Sequence, residues 1–209
     1  QEPSYQRARG NEVFSLITPK IALEKFSAAG TLILDNSQKN VLLGQHGQGY
    51  WGNAAGGKQN GERAWETAAR ETLEEFGIIC KKPHHNHDPL ILIAHPNVGP
   101  ITLENLDIGV CYLITINPSF INLEGIGEND EVNQLRWFKK SDIIQLTDGF
   151  TDHAFLWGGC WTEMVLRRWV EFNNEFAGTI TFPRQAPGRW PTFYERLKAT
   201  EKNRQSKTT

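Results

Sequence analysis

The chain predicts an α/β fold, an α/β/α sandwich around a central mixed sheet. Three observations carry that expectation. Apolar, β-branched runs of strand length recur along the chain. Two helix-forming stretches interrupt them, one after the second run and one after the last. The 209 residues are 39% hydrophobic and contain no long apolar run, which suits one substantial core rather than a membrane span.

The strand-like runs lie at 26–34, 41–43, 90–94, 108–116 and 133–138. The first helix is expected over 62–76, a stretch without Gly or Pro, rich in Ala, Glu, Arg and Leu, that stops at Gly77. Its spacing places Trp65, Ala69, Thr72 and Phe76 on one buried face, flanked by Ala68 and Leu73. Thr72 fits there if its hydroxyl bonds back to the preceding turn. A second helix is expected over 154–172, where Trp161, Val165 and Trp169 fall at helical spacing. These elements divide the chain into an N-terminal extension (1–23), one domain (24–173) and a C-terminal tail (174–209).

Glu71, Glu74 and Glu75 share the other side of the first helix, with no lysine interleaved. Three carboxylates at this spacing repel one another by a few tenths of a kcal/mol per pair. A hard divalent cation makes such a cluster favourable, because Mg²⁺ takes carboxylates together with substrate phosphates.

The cluster sits inside a longer pattern: Gly56, five residues, Glu62, seven residues, then Arg70-Glu71-Thr72-Leu73-Glu74-Glu75-Phe76-Gly77-Ile78. That pattern resembles the Nudix box, the signature of enzymes that cleave a diphosphate linked to another moiety. Thr72 stands where the box prefers an aliphatic residue, and Ala54-Ala55 replace the Pro-Gly that often precedes its glycine. Neither departure removes a carboxylate. The resemblance implies the Nudix fold over roughly residues 24–173 and a site built as follows. Glu71, Glu74 and Glu75 hold Mg²⁺ or Mn²⁺ bridging the substrate phosphates. Arg70 orients the carboxylates, chiefly through Glu71, and Glu62 fixes that network, with Gly77 closing the helix. The loop at Ala55, Gly56 and Gly57 approaches metal and substrate. The proton acceptor is Glu71 or Glu131, which stands six residues before Trp137 as in many such enzymes.

Outside the box the signals are weaker. Residues 184–209 carry seven Lys and Arg against two Glu, so the tail is net +5 and the rest of the chain about −7, given −2 overall. A basic tail after an acidic body suits a polyanion such as RNA. Seven tryptophans are present. Trp65, Trp137 and Trp169 read as core, whereas Trp51, Trp157 and Trp190 are candidates for a base-stacking platform. His84-His85-Asn86-His87 reads as a solvent-exposed turn between prolines. The segment from Gly44 to Gly49 is no phosphate loop, since no Gly-Lys-Ser/Thr follows. Lys25, Lys39 and Lys58 read as surface lysines that could reach phosphates. Three cysteines, Cys80, Cys111 and Cys160, make no disulfide framework and suit a reducing, cytoplasmic compartment. The chain opens on Gln1 and its one methionine is Met164, so a removed leader or tag is expected.

The box fixes reaction class better than substrate. The expected activity is hydrolysis of a nucleoside-diphosphate-linked substrate, with the 5′ cap of messenger RNA favoured. Cap removal needs a stacking site for a cationic purine and a basic track for the RNA body. The chain also resembles secreted Nudix effectors of plant-pathogenic rust fungi with decapping activity, which would work inside a host cell after secretion. A diphosphoinositol polyphosphate phosphohydrolase, a small-nucleotide pyrophosphatase (ADP-ribose, NADH or dinucleoside polyphosphate) and a catalytically silent nucleotide-binding module are the alternatives. The expected partners are nucleotide or capped RNA and no membrane, with a homodimer left open.

Overall fold

A computed structural model describes residues 12–46, 51–81, 88–96, 98–124, 131–147, 157–172 and 176–184. Its centre is a mixed eight-stranded sheet. The strands are β1 (Ala28–Asp35), β2 (Asn40–His46), β3 (Trp51–Gly52), β4 (Ala54–Gly57), β5 (Leu90–His95), β6 (Asp107–Ile116), β7 (Val132–Lys139) and β8 (Gly178–Pro183). They run in the order β3-β2-β1-β6-β5-β8, with β4 added on β1 and β7 on β2. The pairs β1–β6 and β5–β8 are parallel, and the others antiparallel. The helices α1 (Pro19–Lys25), α2 (Ala64–Phe76), α3 (Lys140–Thr147) and α4 (Trp157–Phe172) accompany them.

The period of two along the central strands explains the layers. On β1, Leu32 and Leu34 face a core that contains Val165, Leu166 and Trp169 of α4. Ala29 and Ile33 face the opposite way, toward cores that contain Ala64, Ala68 and Phe76 of α2 and Ala22 of α1. Strand β5 divides likewise, with Leu90 and Leu92 on the α4 side and Ile91 and Ile93 on the other. Alternation therefore sets α2 and α4 on opposite faces of one sheet, the expected α/β/α sandwich.

All five expected strands form, each within a few residues of its expected bounds. Both expected helices form too, although 154–156 lie outside the described residues. Packed residues also lie outside 24–173 on both sides. Ile17 and Ala22 are buried in the core, so the segment before residue 24 is part of the fold. Beyond residue 173, β8 pairs in parallel with β5 and buries Phe182. Arg184, counted with the basic tail, bonds Asp107 Oδ2 at 2.8 Å and the Asn105 carbonyl at 2.7 Å. The first tail cation thus fastens β8 to the start of β6.

The buried face of α2 also differs from expectation. Ala64, Thr67, Ala68, Glu71, Thr72, Glu75 and Phe76 are buried, whereas Trp65, Ala69 and Leu73 are half-buried. The helix is rolled so that its acidic edge tucks against β4, and Trp65 instead meets the Tyr112 ring edge-on at 5.0 Å. Thr72 behaves as expected: its hydroxyl bonds the Ala68 carbonyl at 2.7 Å and meets the Thr31 hydroxyl at 2.8 Å. Helix α2 starts two residues later than expected, because Glu62 serves the preceding turn. Its carboxylate accepts from the Gln59 N–H at 2.7 Å and the Thr67 hydroxyl at 3.3 Å. Gly77 ends the helix in the left-handed region at φ 67°, which glycine adopts without steric cost.

Candidate active site

Strand β4 and helix α2 bring the predicted residues together around Arg70. Its Nε donates to Glu62 Oε2 at 2.8 Å, and its Nη2 to Glu62 Oε1 at 3.1 Å, a two-point grip. Its Nη1 donates to Glu71 Oε1 at 2.8 Å and to Glu74 Oε2 at 3.0 Å. Its Nη2 also reaches the Gly57 carbonyl at 2.8 Å. One guanidinium therefore ties the turn before α2, the helix itself and β4 into a single unit. Only a planar fork with five donors can span those partners.

The electrostatics follow from this wiring. Hydrogen bonds from Arg70 hold Glu62 below the usual carboxylate range, and the same bonds push the Arg70 pKa further up. Burial raises Glu71 despite Arg70, with Glu74 adding to the rise. Glu75 is only 1% exposed. Burial, then the charges of Glu71 and Glu131, push its pKa up to about 9. Its carboxylate is hydrogen-bonded with Glu71 and accepts the Ala55 N–H. Exposed Glu131, just before β7, thus lies close enough to be felt at the cluster, whereas Glu128 and Asp130 of its loop lie outside the described residues.

Gly56 is indispensable to this packing. A Cβ there would run into the Glu71 carboxylate. Gly57 has open space where its Cβ would point and contributes its carbonyl.

Residues 24–156 match the family model of the NUDIX domain. The chain belongs to the NUDIX family. Its fold is that of a NUDIX hydrolase from Nitrosomonas europaea, with a TM-score of 0.50 at 17% identity over 77% of this chain and 81% of that one. A Caenorhabditis elegans Ap4A hydrolase in a binary complex aligns at 23% identity over 58% of this chain and 85% of that one, TM-score 0.44. A MutT protein from Bacillus halodurans aligns at 18% identity over 78% and 91%, TM-score 0.49. No curated protein matches the chain. Membership makes the chain a NUDIX pyrophosphohydrolase, of a family that uses divalent metal ions. No helix among the described residues is long and apolar enough to cross a membrane.

Of the other expected contacts, Trp51 is corrected. It is 2% exposed, with Phe138 edge-on at 5.1 Å and the Arg136 guanidinium 4.7 Å above its ring. The ring is buried, so no base can stack there. Trp169 is buried as expected, and Trp137 is half-buried. Lys58 spends its ammonium over the Phe26 ring at 4.8 Å. The side chain of Trp157, together with Trp190, residues 84–87 and the rest of 185–209, lies outside what is described.

A cavity of about 180 Å³ on the α4 face was not foreseen from the residues. It is lined by Gly30, Gly109 and Cys111 of the sheet, by Trp161 and Thr162 of α4, and by Gly56 of β4, which abuts the Glu71 carboxylate. A Cβ on Gly109 would come within 2.8 Å of the Trp161 ring, so this glycine makes room for the indole. Among the described residues that line the cavity, none is charged.

Proposed function

We propose that Glu71, Glu74 and Glu75 hold Mg²⁺ or Mn²⁺ and that the enzyme hydrolyses the diphosphate of a nucleoside-linked substrate. As they stand, no three acidic, His or Cys side chains among the described residues converge on one point. Arg70 draws Glu71 and Glu74 together, and Glu75 is turned to Glu71 and Ala55. The donor set nevertheless fits a hard divalent ion, since Glu62, Glu71 and Glu74 gather on one guanidinium and Glu75, bonded to Glu71, feels the charge of Glu131. The buried Glu71–Glu75 pair, joined through a shared hydrogen bond, is the single observation that carries this reading. A cation exchanged for that proton leaves both groups ionised and satisfied.

When bound, the ion polarises the phosphoryl oxygens and lowers the pKa of an attacking water. Arg70 holds Glu71 and Glu74 in place against the rim of β4. Glu71 or Glu131 receives the proton from the water, and Glu131 reaches solvent at the mouth of the site. Within nucleoside diphosphates, the 5′ cap of messenger RNA remains the favoured substrate, a choice supported by residues 185–209, whose six Lys and Arg face two Glu. An uncharged cavity gives an inositol polyphosphate little to bind.

The test is turnover of capped RNA, 5-diphosphoinositol pentakisphosphate, ADP-ribose, NADH and diadenosine polyphosphates, with Mg²⁺ and with Mn²⁺. Metal ions contribute several kcal/mol of transition-state stabilisation, so Glu74→Gln or Glu75→Gln should cost on the order of a hundredfold or more in kcat. Wild-type turnover by both variants would refute the site.

A further inference from the structure

We propose that the cavity between β1, β6 and α4 is a nucleobase pocket, with Trp161 as its aromatic wall and Thr162 Oγ1 accepting from an N–H on the base edge. This rests on the hydrolase reading above and names the part of the substrate that it selects.

Proton accounting gives the polarity of the pocket. Thr162 has one hydroxyl hydrogen, and the 2.6 Å bond to Asn53 Oδ1 uses it. Asn53 has its amide fixed in that sense, because its Nδ2 donates to the Thr31 carbonyl at 3.0 Å. The weaker approaches of Nδ2 to the Ala54 carbonyl (3.5 Å) and Cys111 Sγ (4.0 Å) take up its remaining hydrogen. Thr162 Oγ1 therefore presents acceptor capacity only, and a ligand that binds beside it must donate. Both side chains are buried, so such a bond forms away from competing water.

Size and surroundings select the rest. About 180 Å³ is below the roughly 300–1,000 Å³ of pockets that take whole drug-sized ligands, so the space suits one ring system. The lining is apolar and uncharged, with an indole on one wall, which suits a flat aromatic ring. Phe182 meets Trp161 edge-on at 5.2 Å and fixes the indole from behind. Gly56 lines the cavity and also touches Glu71, so a base in the pocket has its ribose and phosphates leaving over β4 toward the carboxylates. A nucleoside whose base carries an amino or ring N–H fits these constraints together.

The experiment is calorimetric titration of the full chain, in EDTA, with AMP, GMP, CMP, UMP and the base-free ribose 5-phosphate. Base stacking is worth on the order of tenfold or more in affinity, so ribose 5-phosphate should bind at least that much more weakly than the best nucleotide. Thr162→Val should weaken that nucleotide by about tenfold while Thr162→Ser retains it. Trp161→Ala should weaken it and Trp161→Phe restore part of the loss. Equal binding of ribose 5-phosphate and all nucleotides, or Thr162→Val and Thr162→Ser binding alike, would overturn the pocket. The wild-type comparison stands even if a variant fails to fold. Base-selective binding without metal-dependent turnover would sink the hydrolase reading alone. Turnover with base-blind binding would sink the pocket alone.

Discussion

The two sides of β4 are built on opposite plans. Toward α2, the strand meets Arg70 with the carboxylates it holds, Glu62, Glu71 and Glu74, and Glu75 bonded to Glu71 and the Ala55 N–H. Toward α4 it borders a space walled by glycines, an indole and two neutral polar groups. Charge organises the first side and absence of side-chain bulk organises the second. A glycine marks each: Gly56 leaves room for Glu71, and Gly109 leaves room for Trp161. Chemistry that must be the same for every substrate demands the rigid, charged side. Recognition, which differs from substrate to substrate, is left to the permissive one.

The matched glycines offer the sharpest way to break that contrast. Gly56→Ala forces a Cβ into the Glu71 carboxylate and displaces it from Arg70. Overpacking of this kind costs about 1–3 kcal/mol, and misplacing a reacting group by an ångström costs on the order of a hundredfold in rate. The expected result is a collapse of kcat. Gly109→Ala moves the indole instead, so KM should rise more than kcat falls. Steady-state kinetics on one substrate compares them, and the same kcat–KM pattern in both variants would erase the distinction between the two sides.

The contrast also explains what could be read from the sequence. Charged residues at fixed spacing have few reasons to occur together, so Glu62, Arg70, Glu71, Glu74 and Glu75 were legible as one unit. Periodicity gave the five strands and both helices, since each buries a face. Four things were not legible. Trp51 carries the same aromatic signal as a stacking residue, and only its burial under Phe138 and Arg136 decides its role. The roll of α2 depends on how closely β4 approaches, which helical spacing does not contain. The pocket is made from Gly30, Gly109 and Thr162, residue types that signal nothing until the sheet and α4 bring them together. The short β4 and β8 carry too few apolar positions for a period of two to stand out.

Arg70→Lys sharpens the charged side by a smaller amount. Lysine keeps the charge but not the fork, and it cannot hold Glu62, Glu71, Glu74 and the Gly57 carbonyl together. Charge-assisted hydrogen bonds contribute about 1.5–3 kcal/mol each, and losing one or two here should slow turnover by roughly tenfold or more. Added Mg²⁺ should recover part of that loss by reordering the carboxylates. Wild-type kcat in Arg70→Lys at all Mg²⁺ concentrations would show that charge alone organises the cluster.

The smallest expected effect compares the two buried carboxyls. Glu75 and Glu163 are both raised by burial, Glu75 to about 9 and Glu163 to about 8. Glu75 has like charges beside it, whereas Glu163 on α4 has Arg167 Nε at 2.9 Å, which lowers its pKa without cancelling the rise. The stability consequence of Glu163 has a definite sign. Its unfolded pKa is 4.5, so between there and about 8 the folded chain keeps a proton that the unfolded chain has released. That contribution is complete below the unfolded value, falls as pH rises through the window and is lost above the folded value. One such group changes stability by at most about 1.4 kcal/mol per pH unit, and Arg167, partly open to solvent, reduces this. Glu163→Gln removes the titration. Urea unfolding at several pH values between 5 and 8 should therefore show the variant gaining stability relative to wild type as pH rises. Parallel curves would mean that Arg167 keeps Glu163 ionised throughout, and that burial on the α4 side perturbs a carboxyl far less than crowding does on the α2 side.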